Sequence, residues 1–159
     1  SSDLAARGAG LLHRHEDELA EGHAVSSEIV NDGWREHLGH RHVPEVSEEE
    51  AGANLATIAN GTDLTLYAHY TTDTAGHRKD MDAAVGALER VDRFLRGVTD
   101  AVADDTLVFI ASDHGNLEDV RTGHTLHPAL GVAWGPGAER LASARDLRDV
   151  APALMDLLQ

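Results

Sequence analysis

Three short polar segments of this sequence place carboxylate and imidazole side chains close together, and these residue types bind divalent metal ions. The segments are Asp73-Thr74-Ala75-Gly76-His77, Asp113-His114-Gly115-Asn116 and His124-Thr125-Leu126-His127-Pro128. Asp and His without any Cys supply oxygen and nitrogen ligands, a mixture suited to zinc or manganese. Two such ions roughly 4 Å apart can clamp a phosphoryl group. The alternative for an isolated Asp-His-Gly is a turn in which Asp113 caps a helix and His114 faces solvent.

Predicted strands precede or follow these polar segments. Residues 107–111 form a short apolar run before Asp113, and residues 63–70, rich in Leu, Thr and Tyr, precede Asp73. A third strand is predicted over residues 129–134. The carboxyl ends of parallel strands lie at the same edge of a sheet, and open α/β folds bind their ligands at that edge. The order of elements therefore predicts that residues distant in sequence converge there.

Helices are predicted between these strands. Ser47 and Glu50 match a capping box that opens a helix ending at Asn60-Gly61. Apolar residues at helical spacing predict a long helix over residues 80–103 and another from about residue 147 to 158. Residues 4–21 are also predicted to be helical. The fold class expected is α/β, a mostly parallel sheet flanked by helices.

Size and composition fit one globular domain spanning residues 1–159. Hydrophobic residues make up 42% of the chain, which is ordinary for a globular protein, and there is no Cys to form disulfides or thiolate metal sites. No apolar run reaches the length of a membrane span, and the N-terminal residues lack the apolar centre of a signal peptide. We therefore expect a soluble, cytoplasmic protein.

The net charge of −15, with Lys79 as the single lysine, predicts a surface that repels nucleic acid and anionic membranes. It also suggests halophilic adaptation, because salt screens the self-repulsion of an acidic surface.

The midpoint temperature of thermal unfolding should accordingly rise markedly between low and molar monovalent salt, and it should rise less in a neutral solute of equal osmolarity. An unfolding temperature that does not change with salt concentration would contradict this interpretation.

The segments DTAGH (73–77), SDHGNLED (112–119) and HTLHP (124–128) resemble the alkaline phosphatase superfamily. The resemblance is to its branch containing cofactor-independent phosphoglycerate mutase and phosphopentomutase, and it extends from about residue 47 to the end. It implies an alkaline-phosphatase-like fold and a phosphate-ester transferase or hydrolase with two divalent metal ions and a phosphorylated Ser or Thr. The resemblance assigns one ion to Asp73, His77 and His124, and the other to Asp113 and His114.

The sequence also departs from that family. Family members begin with a strand ending in a metal-binding Asp, followed by a Ser or Thr nucleophile, and neither is identified here. Asp32-Gly33 is the one candidate for the first motif, and its preceding strand is poor. The chain is therefore expected to be a C-terminal part that binds about one ion. A phosphorylated small molecule would be the substrate of the complete enzyme, and an N-terminal segment or second chain would complete the site. The alternative is a non-catalytic metal-binding or interaction module.

Other polar residues leave two readings open. Arg78 and Arg121 can steer a phosphate group or simply pair with surface acids. The cluster His37, His40 and His42 can chelate a metal or form a solvated loop. His69 is expected to be structural. Asn116 and Glu118 follow the family pattern, but the sequence suggests no mechanism for them.

Overall fold

The computed structural model describes residues 14–159, which form two compact units. Unit 1 contains residues 14–72 and Val85–Val102, and unit 2 contains Asp73–Ala84 and Ala103–Gln159. The helices are α1 (Glu16–Ala20), α2 (Asp32–Glu36), α3 (Glu48–Ala59), α4 (Thr71–Arg78), α5 (Met81–Ala101), α6 (Ala138–Leu141) and α7 (Leu147–Leu157). The strands are β1 (Val108–Ala111) and β2 (Gly131–Trp134), and a 3-10 turn covers Leu117–Asp119.

The longer helices agree with the sequence prediction. Ser47 caps α3, since its Oγ accepts the backbone N–H of Glu50 at 3.1 Å, and Asn60 lies at the other end of the helix. Helices α5 and α7 cover the regions predicted for them. Residues 4–13 of the predicted 4–21 helix lie outside the described residues, and of residues 14–21 only Glu16–Ala20 is helical. No helix within residues 14–159 is long and apolar enough to span a membrane.

In unit 1, α3 and the 85–101 part of α5 pack tightly because glycines face the opposite backbone. A Cβ atom built on Gly52 would overlap the carbonyl of Phe94, and one built on Gly97 would overlap the carbonyl of Glu49. The buried cluster beside this contact consists of Ile29, Val30, Ala51, Phe94 and Val98. Close approach of the two helix backbones therefore depends on both glycines.

Gly97→Ala should destabilise the protein by about 1–3 kcal/mol, because the added methyl group meets backbone rather than a movable side chain. Gly86→Ala is the matched control in the same helix, since Gly86 is exposed and its Cβ would contact nothing within 4 Å. The control should stabilise α5 slightly, by about 0.5–1 kcal/mol, through helix propensity. Chemical denaturation measures both, and equal effects would contradict the packing explanation.

In unit 2, β1 and β2 form an antiparallel pair, so the predicted parallel sheet is wrong for these strands. Val108 lies opposite Trp134 and Ala111 opposite Gly131. The bond from the Ser112 N–H to the Leu130 carbonyl, 2.9 Å long, continues the pairing. Parallel neighbours need a long crossover, usually a helix, whereas the connection here contains only a 3-10 turn and folds straight back.

The strand predicted over residues 63–70 is also wrong, because residues 64–70 have no assigned secondary structure. Tyr67 packs on Phe94 with ring centroids 5.1 Å apart, and its hydroxyl donates to the Ser26 carbonyl at 2.7 Å. Leu64 and Leu66 are exposed, and Leu66 retains 85% of its accessible surface. The side of this segment that bears Tyr67 thus packs within unit 1 and the side with Leu64 and Leu66 does not, and within residues 14–159 the segment has no ladder partner.

Candidate metal centre

Helix α4 holds the first pair of predicted ligands. Asp73 and His77 lie one turn apart on the same face of this helix, rather than in a loop after a strand. The Nε2 atom of His77 is 3.4 Å from Oδ1 of Asp73. Both side chains are about half exposed, so the pair lies at the surface of unit 2.

The segment between β1 and β2 supplies the other imidazoles. Asp113 and His114 follow β1 directly, and the Thr125 N–H donates to the Gly115 carbonyl at 3.0 Å. This bridge joins the two arms of the loop. Gly123 has a φ of 84°, a left-handed conformation that suits glycine, and it turns the chain just before His124. The rings of His114 and His124 consequently lie 3.8 Å apart between centroids.

The two parts of unit 2 converge on one oxygen atom. Oδ1 of Asp73 is 3.3 Å from Nε2 of His124 and 3.8 Å from Nε2 of His114, in addition to its contact with His77. Potential ligand atoms of Asp73, His114 and His124 all lie within 4.8 Å of one another. Within residues 14–159, no other group of three or more His, Cys, Asp or Glu side chains brings its potential ligand atoms this close together.

The donor set fits a small divalent ion. With metal–ligand bonds of about 2.0–2.2 Å, tetrahedral ligands are separated by roughly 3.3–3.6 Å. The separations of 3.3 Å and 3.8 Å from Asp73 Oδ1 to the imidazoles of His124 and His114 bracket that range. One carboxylate and two imidazoles leave a further position open for another ligand, as in catalytic rather than structural sites. His77, beside the same oxygen, is placed to supply or support it.

Two of the predicted ligands, His77 and Asp113, lie outside this group of three, in which His114 stands with Asp73 and His124. The Asp113 carboxylate is 3.5 Å from Nε2 of His114, but its side chain is 76% exposed. The rings of His40 and His42 lie 5.9 Å apart between centroids, and His40 contacts Trp34. Among residues 14–159, the ring nitrogens of the cluster His37, His40 and His42 do not lie close enough together to form a candidate metal site.

Arg121 pairs with an acid in this structure. Its guanidinium donates to both carboxylate oxygens of Asp119, at 2.8 Å and 2.9 Å. This pairing is the main cause that lowers the pKa of Asp119 to about 2. Arg78 is the exposed last residue of α4, directly after His77.

Asn116 contacts the proposed ligand Asp73, a link that sequence reasoning missed. The Asn116 side chain is buried, and its Nδ2 donates to Oδ1 of Asp73 at 2.7 Å and to the Asp73 carbonyl at 3.2 Å. A Cβ on Gly76 would overlap the Asn116 amide, which explains why glycine follows Asp73 by three residues. The feature of the sequence that could have indicated this contact is the position of Asn116, two residues after the proposed ligand His114.

Glu118 ties this loop together. One of its carboxylate oxygens accepts the Asn116 backbone N–H at 2.7 Å, and the other accepts the Thr125 hydroxyl. The hydrogen bond from Thr125 is the largest of the causes that lower the pKa of Glu118. The carboxylate thus connects Asn116, two residues after His114, to Thr125, the residue after His124.

His69, in unit 1, contacts the Ser27 carbonyl through Nδ1 at 2.8 Å. A carbonyl only accepts, so Nδ1 carries the proton. Burial lowers the pKa of His69 and favours the neutral ring. The Nδ1 contact agrees with the predicted structural role, but the buried Nε2 has no hydrogen-bond partner, so the ring is satisfied at one nitrogen.

The curated proteins similar to this chain include several named as phosphoglycerate mutases. The 2,3-bisphosphoglycerate-independent phosphoglycerate mutase of Halobacterium salinarum is 35% identical over 113 residues, which cover 65% of this chain and 22% of that protein. The mutase of the same name from Cereibacter sphaeroides is 34% identical over 127 residues, covering 73% and 25%. A third, from Yersinia pestis, is 35% identical over 127 residues, with the same coverage.

The chain spans about a quarter of the length of the curated relatives it matches. No solved structure matches it. The family model of the metalloenzyme superfamily matches residues 39–159, a range that includes every residue of the group around Asp73. Because that match covers well over half of its residues, the chain belongs to the metalloenzyme superfamily.

Proposed function

We propose that this chain is the metal-binding part of a phosphomutase-type enzyme that transfers or hydrolyses a phosphate ester. The observation that carries the proposal is the convergence of three imidazoles on Oδ1 of Asp73. The relatives named as phosphoglycerate mutases support the phosphate-ester substrate class. Since the chain spans only about a quarter of them, the activity belongs to the proposed complete enzyme.

In this proposal Asp73 is the anionic ligand, and His77, His114 and His124 are neutral nitrogen ligands. A carboxylate with imidazoles suits zinc or manganese. When bound, such ions supply neutralising charge for phosphoryl oxygens. The complete enzyme would hold two ions, one of them using Asp113 and His114. With one ion bound to the chain alone, we expect Asp73, His114 and His124 to share it, with His77 beside the same carboxylate oxygen to supply a fourth ligand.

Arg78 and Arg121 are the proposed phosphate-orienting residues. Arg78 follows a proposed ligand directly and is exposed, so a phosphate group can reach it. Arg121 must first exchange its bidentate contact with Asp119 for the phosphate. A phosphate monoester near neutral pH carries more charge than one carboxylate, which favours that exchange.

Elemental analysis of the protein purified without chelator tests this proposal. About one equivalent of zinc or manganese is expected, and His124→Ala should lower it strongly. His37→Ala is the matched control, because His37 is an exposed histidine in unit 1, outside the ligand group. A metal-free protein, or equal metal content in both variants, would overturn the assignment.

A further inference from the structure

We infer that Asn116 is a positioning residue, which holds the Asp73 carboxylate in the orientation needed to bind a metal ion. The inference rests on the proposed metal-binding function. It adds a residue that would not touch the ion and would act through Asp73. Two features of the structure support it: the direction of the amide and the contacts that hold Asn116 itself.

The side-chain amide of Asn116 fixes Asp73 at two points. Nδ2 donates to the carboxylate Oδ1 at 2.7 Å and to the backbone carbonyl of the same residue at 3.2 Å. Bonds to both parts of Asp73 constrain rotation of the carboxylate relative to α4. A carboxylate oxygen has two lone pairs, so Oδ1 can accept this amide and still present a lone pair to an ion.

The flipped orientation of the Asn116 amide is excluded by the hydrogen-bonding capacity of Asp73. Turning it over would place the amide oxygen of Asn116 against two acceptors of Asp73, which cannot donate to it when the carboxyl is ionised. The observed orientation leaves Oδ1 of Asn116 buried with no hydrogen-bond partner. Buried polar atoms are rarely left unpaired, but the buried Oδ1 of Asn31 also lacks a partner, so this oxygen by itself does not mark a functional site. The fold accepts this unpaired oxygen while making both bonds to Asp73.

Asn116 is in turn held on two sides. Its backbone N–H donates to Glu118, which also accepts the Thr125 hydroxyl, and its amide packs against the bare Cα of Gly76. The same residue therefore links the loop carrying His114 and His124 to the helix carrying Asp73. Partners that orient metal ligands typically contribute 10–100-fold to metal affinity.

The test is a Co²⁺ titration of the whole 159-residue chain, followed by visible absorption, which reports both affinity and ligand geometry. Asn116→Leu removes the donor while keeping the number and branching of the side-chain heavy atoms, and Asn116→Ala removes the whole amide. Both should bind Co²⁺ about 10–100-fold more weakly and show a changed spectrum. Gly76→Ala should weaken binding in the same direction, because its methyl group displaces the Asn116 amide while leaving that residue intact.

The matched control is Asn31, in unit 1. Asn31 is also buried, its Nδ2 donates to a carbonyl, that of Pro44, and its Oδ1 likewise has no partner. Asn31→Leu and Asn31→Ala should lower thermal stability without changing Co²⁺ affinity or spectrum. Metal-free thermal unfolding of every variant identifies any that fails to fold.

The outcomes separate this inference from the proposed function. Tight Co²⁺ binding by the unmodified chain, together with unchanged affinity and spectrum in the folded Asn116 or Gly76 variants, would overturn the positioning role and leave the metal site standing. Equal losses in the Asn31 and Asn116 variants would also overturn it, since they would reflect stability alone. Absence of binding by the unmodified chain would overturn both.

Discussion

Asp73→Asn should weaken divalent-metal binding by more than the roughly 10–100-fold typical of substitutions outside the ligand set. Asn keeps the shape of Asp and one oxygen, so the change removes mainly the negative charge. Oδ1 of Asp73 is the atom that lies 3.3–3.8 Å from the imidazoles of His77, His114 and His124. Isothermal titration with Mn²⁺ or Zn²⁺ measures the loss.

Asp113→Asn is the matched control for this substitution. It makes the same chemical change in a carboxylate that lies beside His114 but is 76% exposed and outside the group of three. In the chain alone its effect on affinity should be only a few-fold. Equal losses from the two substitutions, or no loss from Asp73→Asn, would show that the ion binds elsewhere.

The 159 residues alone should have no measurable phosphoglycerate mutase activity and should form no phosphorylated enzyme. Correct mutual positioning of nucleophile, metal ions and phosphate contributes several orders of magnitude to the rate. No Ser or Thr of the chain is identified as the nucleophile. The family resemblance also implies a further Asp ligand for the site with Asp113 and His114, and no such Asp is identified. A mutase assay and phosphate labelling of the protein measure both properties. Robust turnover would mean that a nucleophile has been overlooked.

A chimaera distinguishes an enzyme part from a binding module. Joining this chain to the part of the Halobacterium salinarum relative that it does not cover should restore turnover. That turnover should disappear with Asp113→Asn or His114→Ala, which alter the second proposed metal site. A folded, metal-binding chimaera without activity would favour the non-catalytic module.

Local patterns predicted α3, α5 and α7, because capping and apolar periodicity act within a few turns of the chain, but they did not predict α4. Ser47 and the apolar stripe of α5 are examples. Strand direction could not be obtained in this way. The predicted parallel arrangement assumed a crossover before β2, whereas the loop from Ser112 to Leu130 returns directly.

Residues 63–70 show the same limit. Their composition indicates a strand, but a strand exists only with a partner, and partners are set by distant parts of a chain. Tyr67 finds its partners in Phe94 and Ser26 through side-chain contacts instead.

At the site, residue types indicated metal chemistry, and the family resemblance paired Asp73 with His77. The approach of His114 to Asp73 depends on the bridge from Gly115 to Thr125 and could not be read from spacing. The role of Asn116 required the bonds of its amide, since an Asn in a polar loop is usually a turn residue.

The most direct measurement of the metal site is anomalous diffraction from crystals of the chain grown with Mn²⁺ or Zn²⁺. The expected result is one strong peak about 2.0–2.2 Å from Oδ1 of Asp73 and from Nε2 of His114 and His124. A well-ordered structure with no peak at Asp73, or with its main peak at the histidine cluster His37, His40 and His42, would contradict the metal site proposed here.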